Sequence, residues 1–171
     1  MGDAVAGVLR DTVVVVLIAA AAGALTAAIV VLSGAQDSLR DWYALTPQRP
    51  VQVGVGELWL SNARALLPTF GAAAAVVWWP RARPALDAAL VLIFGANVLL
   101  VAVALAAYGQ PLWDLGPGHY PLELLAVATA TAAYLDARRS RALRAGVVGA
   151  CAALTALVVV LAALLESGGV A

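Results

Sequence analysis

Long apolar runs, cut by short clusters of Gly, Pro and charge, dominate the chain. One run extends from Thr12 to Ser33, a second from Glu57 to Trp79 with Pro68 inside it, and a third from Ala85 to Tyr108. A fourth begins near His119 and ends at about Asp136, and a fifth covers Ala142 to Leu165. Each is long enough, at about 1.5 Å per helical residue, to cross roughly 30 Å of hydrocarbon. The pattern predicts an all-α polytopic integral membrane protein, a bundle of about five transmembrane helices in a single membrane domain covering 1–171. Asp11 is the expected N-cap of the first span. That run is too long for the apolar core of a signal peptide and is read as a true span.

The connections are mostly short. Pro80-Arg81-Ala82-Arg83-Pro84 predicts a tight turn, because proline on either side opposes helix continuation. Arg138-Arg139-Ser140-Arg141 reads as a basic turn of similar size. The longest link runs from Gly34 to Gly56, and within it residues 37–43 predict one or two interfacial helical turns with Trp42 and Tyr43 at headgroup level.

Composition strengthens the membrane reading. Of 171 residues, 64% are hydrophobic and 12% charged, with a mean hydropathy of +0.95. A soluble domain usually carries about 25% charged residues to cover its core, and that polar surface is missing here. The formal net charge is zero, so nothing points to nucleic acid. All ten basic residues are arginine, which fits a GC-rich prokaryotic genome. The single Cys151 allows no intrachain disulfide and reads as a small packing residue.

Charge also sets an orientation. With five spans, the N-terminus and the second and fourth loops share one face, which carries Arg10, Arg81, Arg83, Arg138, Arg139, Arg141 and Arg144. The opposite loops carry Arg40 and Arg49. The bias places the N-terminus inside and the C-terminus outside the cell membrane.

Ionisable and amide groups inside lipid are expensive, so each is a candidate site residue. The second run holds Glu57, Asn62 and Arg64, the third Asn97, and the fourth His119 and Glu123. His119 and Glu123 stand at i and i+4, on one face of a helix. Arg64 and Glu123 fall at similar depth and are expected to pair between spans two and four. Such a pair commonly does no more than fix helix register; lining a polar path is the sharper alternative. Glu57 also suits the first turn of a helix, where the dipole favours an anion. Pro68, with Thr69 and Gly71 beside it, predicts a kink or two half-helices. Ala142, Gly146, Gly149 and Ala150 form a small-residue stripe that predicts close helix packing in span five. One histidine without partners at zinc spacing, and no serine beside a base, argue against a metal site, a cofactor or catalysis.

Gly116-Pro117-Gly118-His119-Tyr120-Pro121-Leu122-Glu123-Leu124 resembles the Pro-His-Gly-x-x-Glu-Leu element of the stage II sporulation protein M (SpoIIM-like) family. Ser61-Asn62-Ala63-Arg64-Ala65 with Gly71, and Gly95-Ala96-Asn97, are similar to two further elements of that family. The sequence departs from it at Gly118, at Tyr120 and in keeping only one of two asparagines. The resemblance covers about Leu58 to Leu165. It implies a non-enzymatic membrane scaffold that anchors or recruits partner proteins, the polar residues serving as packing or partner contacts. The alternative is a small permease or the membrane subunit of a transporter, with spans two to four lining the substrate path. The partners expected are membrane lipid, other membrane or cell-envelope proteins, and a second copy of the chain.

Overall fold

The computed structural model describes residues 2–43, 55–109 and 120–168. Among them every regular element is helical. Helix α1 spans Gly2–Ser33, α2 Gln36–Tyr43, α3 Val55–Trp78, α4 Arg83–Tyr108, α5 Tyr120–Ser140 and α6 Ala145–Gly168, with a single 3-10 turn at Pro80–Ala82 between α3 and α4. Three helical stretches are long and apolar enough to cross a membrane: Val5–Ser33, Pro80–Tyr108 and Ala145–Leu165. In α3 the apolar part is shorter, Ala63–Trp78.

The packing is centred on α5, which lies against α6, α3 and α1. Its middle is almost all alanine and threonine. Ala126, Ala128, Thr129, Ala130, Ala132 and Ala133 are completely buried. Side chains this small let three helices approach one backbone closely, and dispersion over the shared surface holds them there. The most deeply buried helix is therefore not among the most apolar. The converse holds at the periphery, where α4 packs mainly on α1 and the short α2. Only 6% of its most apolar window is buried, and Leu92 remains 71% exposed. A soluble protein reverses this arrangement. Apolar faces of this extent turned outward call for lipid as the solvent.

Helix ends explain the connections. Gly34 and Gly109 follow α1 and α4 with φ of 67° and 58°, conformations that glycine adopts without strain. At the end of α5 the same left-handed region is taken by Arg141, with φ of 54°. At the far end of the bundle, Arg40 of α2 donates through Nε to the Ala107 carbonyl, and Tyr108 donates its hydroxyl hydrogen to the Arg40 carbonyl at 3.2 Å. This clamp occupies a carbonyl in the last turn of α4 that has no partner within the helix. The helical turns expected at residues 37–43 are thus present as α2.

Several expectations are corrected. Asp11 is not an N-cap, because α1 continues through it back to Gly2; the turn before it has its own apolar contact, Val8 packing near Ala133 and Cys151. Pro68 does not divide α3, which runs unbroken from Val55 to Trp78. Pro68 lies on the exposed face of α3. The Ala142, Gly146, Gly149 and Ala150 stripe faces outward. α6 packs instead through Val147, Cys151, Val158, Val159 and Ala162. Arg138 and Arg139 belong to α5, and the turn follows Ser140.

Two substitutions test this account. Ala130→Leu should destabilise the detergent-solubilised protein by about 1–3 kcal/mol, since Ala130 is completely buried where helices pack on α5. Arg141→Gly should raise the melting temperature, by relief of about 1 kcal/mol of left-handed strain. A fall in the second case would show that the Arg141 side chain contributes more than its backbone costs.

Candidate functional site

Two features concentrate the polar chemistry. The first is an ionic end, where the N-terminal part of α1, the start of α4, the end of α5 and the start of α6 meet. Asp136, buried on α5, accepts from Arg144 across the α5–α6 turn, with Nε 2.9 Å from Oδ2 and Nη2 against Oδ1. Asp11, buried on α1, accepts from both terminal nitrogens of Arg139, the Nη1–Oδ1 distance being 2.9 Å. Arg10 also stands 3.7 Å from Asp11. Asp87 on α4 accepts from the Tyr134 hydroxyl at 2.6 Å and from Arg138 at 2.9 and 3.2 Å. Three helices are thereby tied to consecutive arginines or to the turn after them.

These pairs are half-shielded. The carboxylates of Asp11 and Asp136 are nearly inaccessible, while the arginines keep about two-fifths of their side-chain surface open, 44% in each case. Taking a carboxylate out of water is costly, and each guanidinium offsets that cost while leaving its own outer edge hydrated.

The second feature is a cleft of about 590 Å³. α3 and α4 leave the Pro80 turn together but touch little along their lengths. Ala72, Ala73 and Val76 of α3 close the gap at the ionic end by packing with Tyr134 and Ala137 of α5, and Leu86 and Leu90 of α4 pack against this cluster. Beyond that plug the helices separate. Ala65 and Thr69 line one wall, Phe94, Asn97 and Val101 the other, with Gly23 of α1 and Glu123 of α5 also contributing. The lining is mainly aliphatic. Asn97 donates through Nδ2 to the Ile93 carbonyl of its own helix at 2.7 Å, which meets part of the hydrogen-bonding need of an amide at that depth.

Of the candidate residues, Asn97 and Glu123 come together on the cleft. Arg64 does not join them. The buried face of α3 is Leu66, Thr69, Ala73 and Val76, and Arg64 sits roughly 160° around the helix from its centre at about 3.6 residues per turn. It is exposed, and no Arg64–Glu123 pair is among the ion pairs of the described residues. Glu57 and Asn62 fall on α3, but their side chains lie outside the described residues, as does His119. Sequence reasoning counted arginines by face without counting aspartates, and so missed Asp11, Asp87 and Asp136. Their signal was available: each stands near the end of an apolar run, on the side where the arginines gather.

Among the described residues no group of three or more His, Cys, Asp or Glu side chains is placed to hold a metal. No protein-family model, curated protein or solved structure matches the chain. Nothing in these comparisons identifies the SpoIIM-like family.

Arg144→Ala leaves the Asp136 carboxylate buried beside no cation and should lower stability by about 2 kcal/mol. Asp136→Ala with Arg144→Ala should cost less than the sum of the two single changes in a thermal-melt cycle; strict additivity would show that the pair carries no coupling.

Proposed function

We propose that the protein is a multi-pass component of a prokaryotic cell membrane that crosses the bilayer five times, with its N-terminus inside. α3 and α5 join the three strongly apolar helices as spans. They have 24 and 21 residues, or roughly 36 and 32 Å at about 1.5 Å per residue. α5 carries little of the hydropathy signal because protein surrounds it where lipid surrounds α4. The gathering of Arg10, Arg138, Arg139 and Arg144 at one end supports assigning that end to the cytoplasm.

Within that frame the function is to hold a lipophilic small molecule in the α3–α4 cleft, as a permease or the membrane subunit of a transporter would. The observation that carries this is the cleft itself. Its volume lies within the roughly 300–1,000 Å³ of small-molecule sites, and mainly apolar walls around a few polar groups are typical of such sites. The scaffold reading is the second, favoured by the broad exposed faces of α1 and α4.

Two measurements test these assignments. In a Cys151→Ala background, Asp37→Cys in intact cells should react with a membrane-impermeant maleimide and Arg141→Cys should not; the reverse result would invert the topology. A photoactivatable single-chain lipid should crosslink to the α3 and α4 walls, and Val98→Trp should reduce that yield severalfold. Unchanged crosslinking in Val98→Trp at native melting temperature would remove the cleft as the site.

A further inference from the structure

At the ionic end the arginines outnumber the carboxylates that hold them. Arg138, Arg139 and Arg144 are taken by Asp87, Asp11 and Asp136, and Arg10 shares Asp11. Arg81 and Arg83 take part in none of the ion pairs among the described residues. Both lie on the tight turn joining α3 to α4. Arg81 is exposed, and Arg83 is half-buried with its Nε sequestered and without a hydrogen-bond acceptor. Asp87 stands one helical turn beyond Arg83, but its two oxygens are already engaged by Tyr134 and Arg138. A buried N–H without an acceptor is costly, but this one is shielded by the protein, and an acceptor from outside the chain would meet Arg83 through its terminal guanidinium nitrogens.

The surroundings indicate what supplies it. Trp78 and Trp79 precede the turn and are 67% and 65% exposed. Aromatic rings of this kind settle at the level of lipid headgroups, with the indole N–H toward water and the ring toward the acyl chains. Two guanidinium groups beside them match the charge and forked geometry of a phosphate.

We infer that the Trp78–Arg83 turn is a binding site for the phosphate of an anionic phospholipid of the same leaflet. Arg81 and Arg83 bind the phosphate, and Trp78 and Trp79 pack along the glycerol and upper acyl chain. The site would fix the depth of the α3–α4 hairpin, whose other half forms the cleft. It rests on the membrane placement proposed above but not on the cleft's having a ligand.

The test uses the full chain purified in a neutral detergent and read by native mass spectrometry. Phosphatidylglycerol, phosphatidylcholine and inorganic phosphate are added separately and in competition. The wild-type protein should retain phosphatidylglycerol over phosphatidylcholine, with inorganic phosphate a poor competitor. Arg81→Gln with Arg83→Gln should weaken that preference about fivefold per charge removed, whereas Arg141→Gln, at the same end but away from the turn, should change it little. Equal retention of the two lipids, or full retention by the double variant, overturns the site. A loss in Arg141→Gln as large as in the double variant makes the attraction diffuse and also overturns it. Full competition by inorganic phosphate reassigns the turn to a soluble anion. Solubility of the protein without detergent would instead defeat the membrane reading on which all of this stands.

Discussion

Close packing around the alanine-rich middle of α5 is the constraint on which the remaining helices depend. Where α1, α3 and α6 close on the middle of α5 there is no room for long side chains, and Ala126 to Ala133 present none; the larger Tyr134 is buried beyond that stretch, at the ionic end. Helices separated by so short a distance gain dispersion along their whole length, which in a lipid solvent replaces the missing hydrophobic drive. The bulky apolar residues are displaced outward, to α1, α4 and α6, where they meet lipid tails as apolar as themselves. Burial and hydropathy are thereby inverted relative to a soluble bundle.

The same arrangement decides where charge can go. Only at the bundle's end can arginines keep a hydrated edge while neutralising aspartates that point inward. Asp11, Asp87 and Asp136 bring α1, α4 and the α5–α6 turn together there. α4 depends on this more than its neighbours do. It rests on α1 along its length, is clamped at one end by Arg40 and Tyr108 of the α2 junction, and reaches α5 through Asp87 at the other. Between those ties α3 stands away from it, and the cleft is the space left over. A polar tie at one end and a plug of Val76, Tyr134 and Leu90 give the cleft a closed floor. A bound lipid headgroup at the Pro80 turn would anchor that floor from outside.

Much of the fold was legible in the pattern of apolar runs. The predicted boundaries 12–33, 85–108 and 142–165 fall within or near α1, α4 and α6, and residues 37–43 do form a helix. Asn97 was legible as a mid-run amide because a polar group in such surroundings stands out in composition alone. The Arg64–Glu123 pair was not, because similar depth says nothing of rotation about each helix axis. Arg64 and Glu123 are expected at one level from the sequence, yet the face α3 buries is set by Leu66, Thr69 and Val76. The small-residue stripe of span five failed for the same reason: spacing locates a face but not what it faces. Ala142, Gly146 and Gly149 point outward, while Val147 and Cys151 make the contact.

The sequence by itself determined that the chain is helical, that it needs an apolar solvent, and that its positive charge is unevenly distributed along it. Those properties depend on the transfer energies of residues and on the period of one helix, which neighbouring residues supply. Only the tertiary structure decided which helix lies at the centre, which aspartate each arginine holds, and that α3 and α4 part to leave a cleft. Those outcomes depend on rotation and contact between segments as far apart in the chain as Asp11 and Arg139, and no local pattern encodes the angle at which two helices meet.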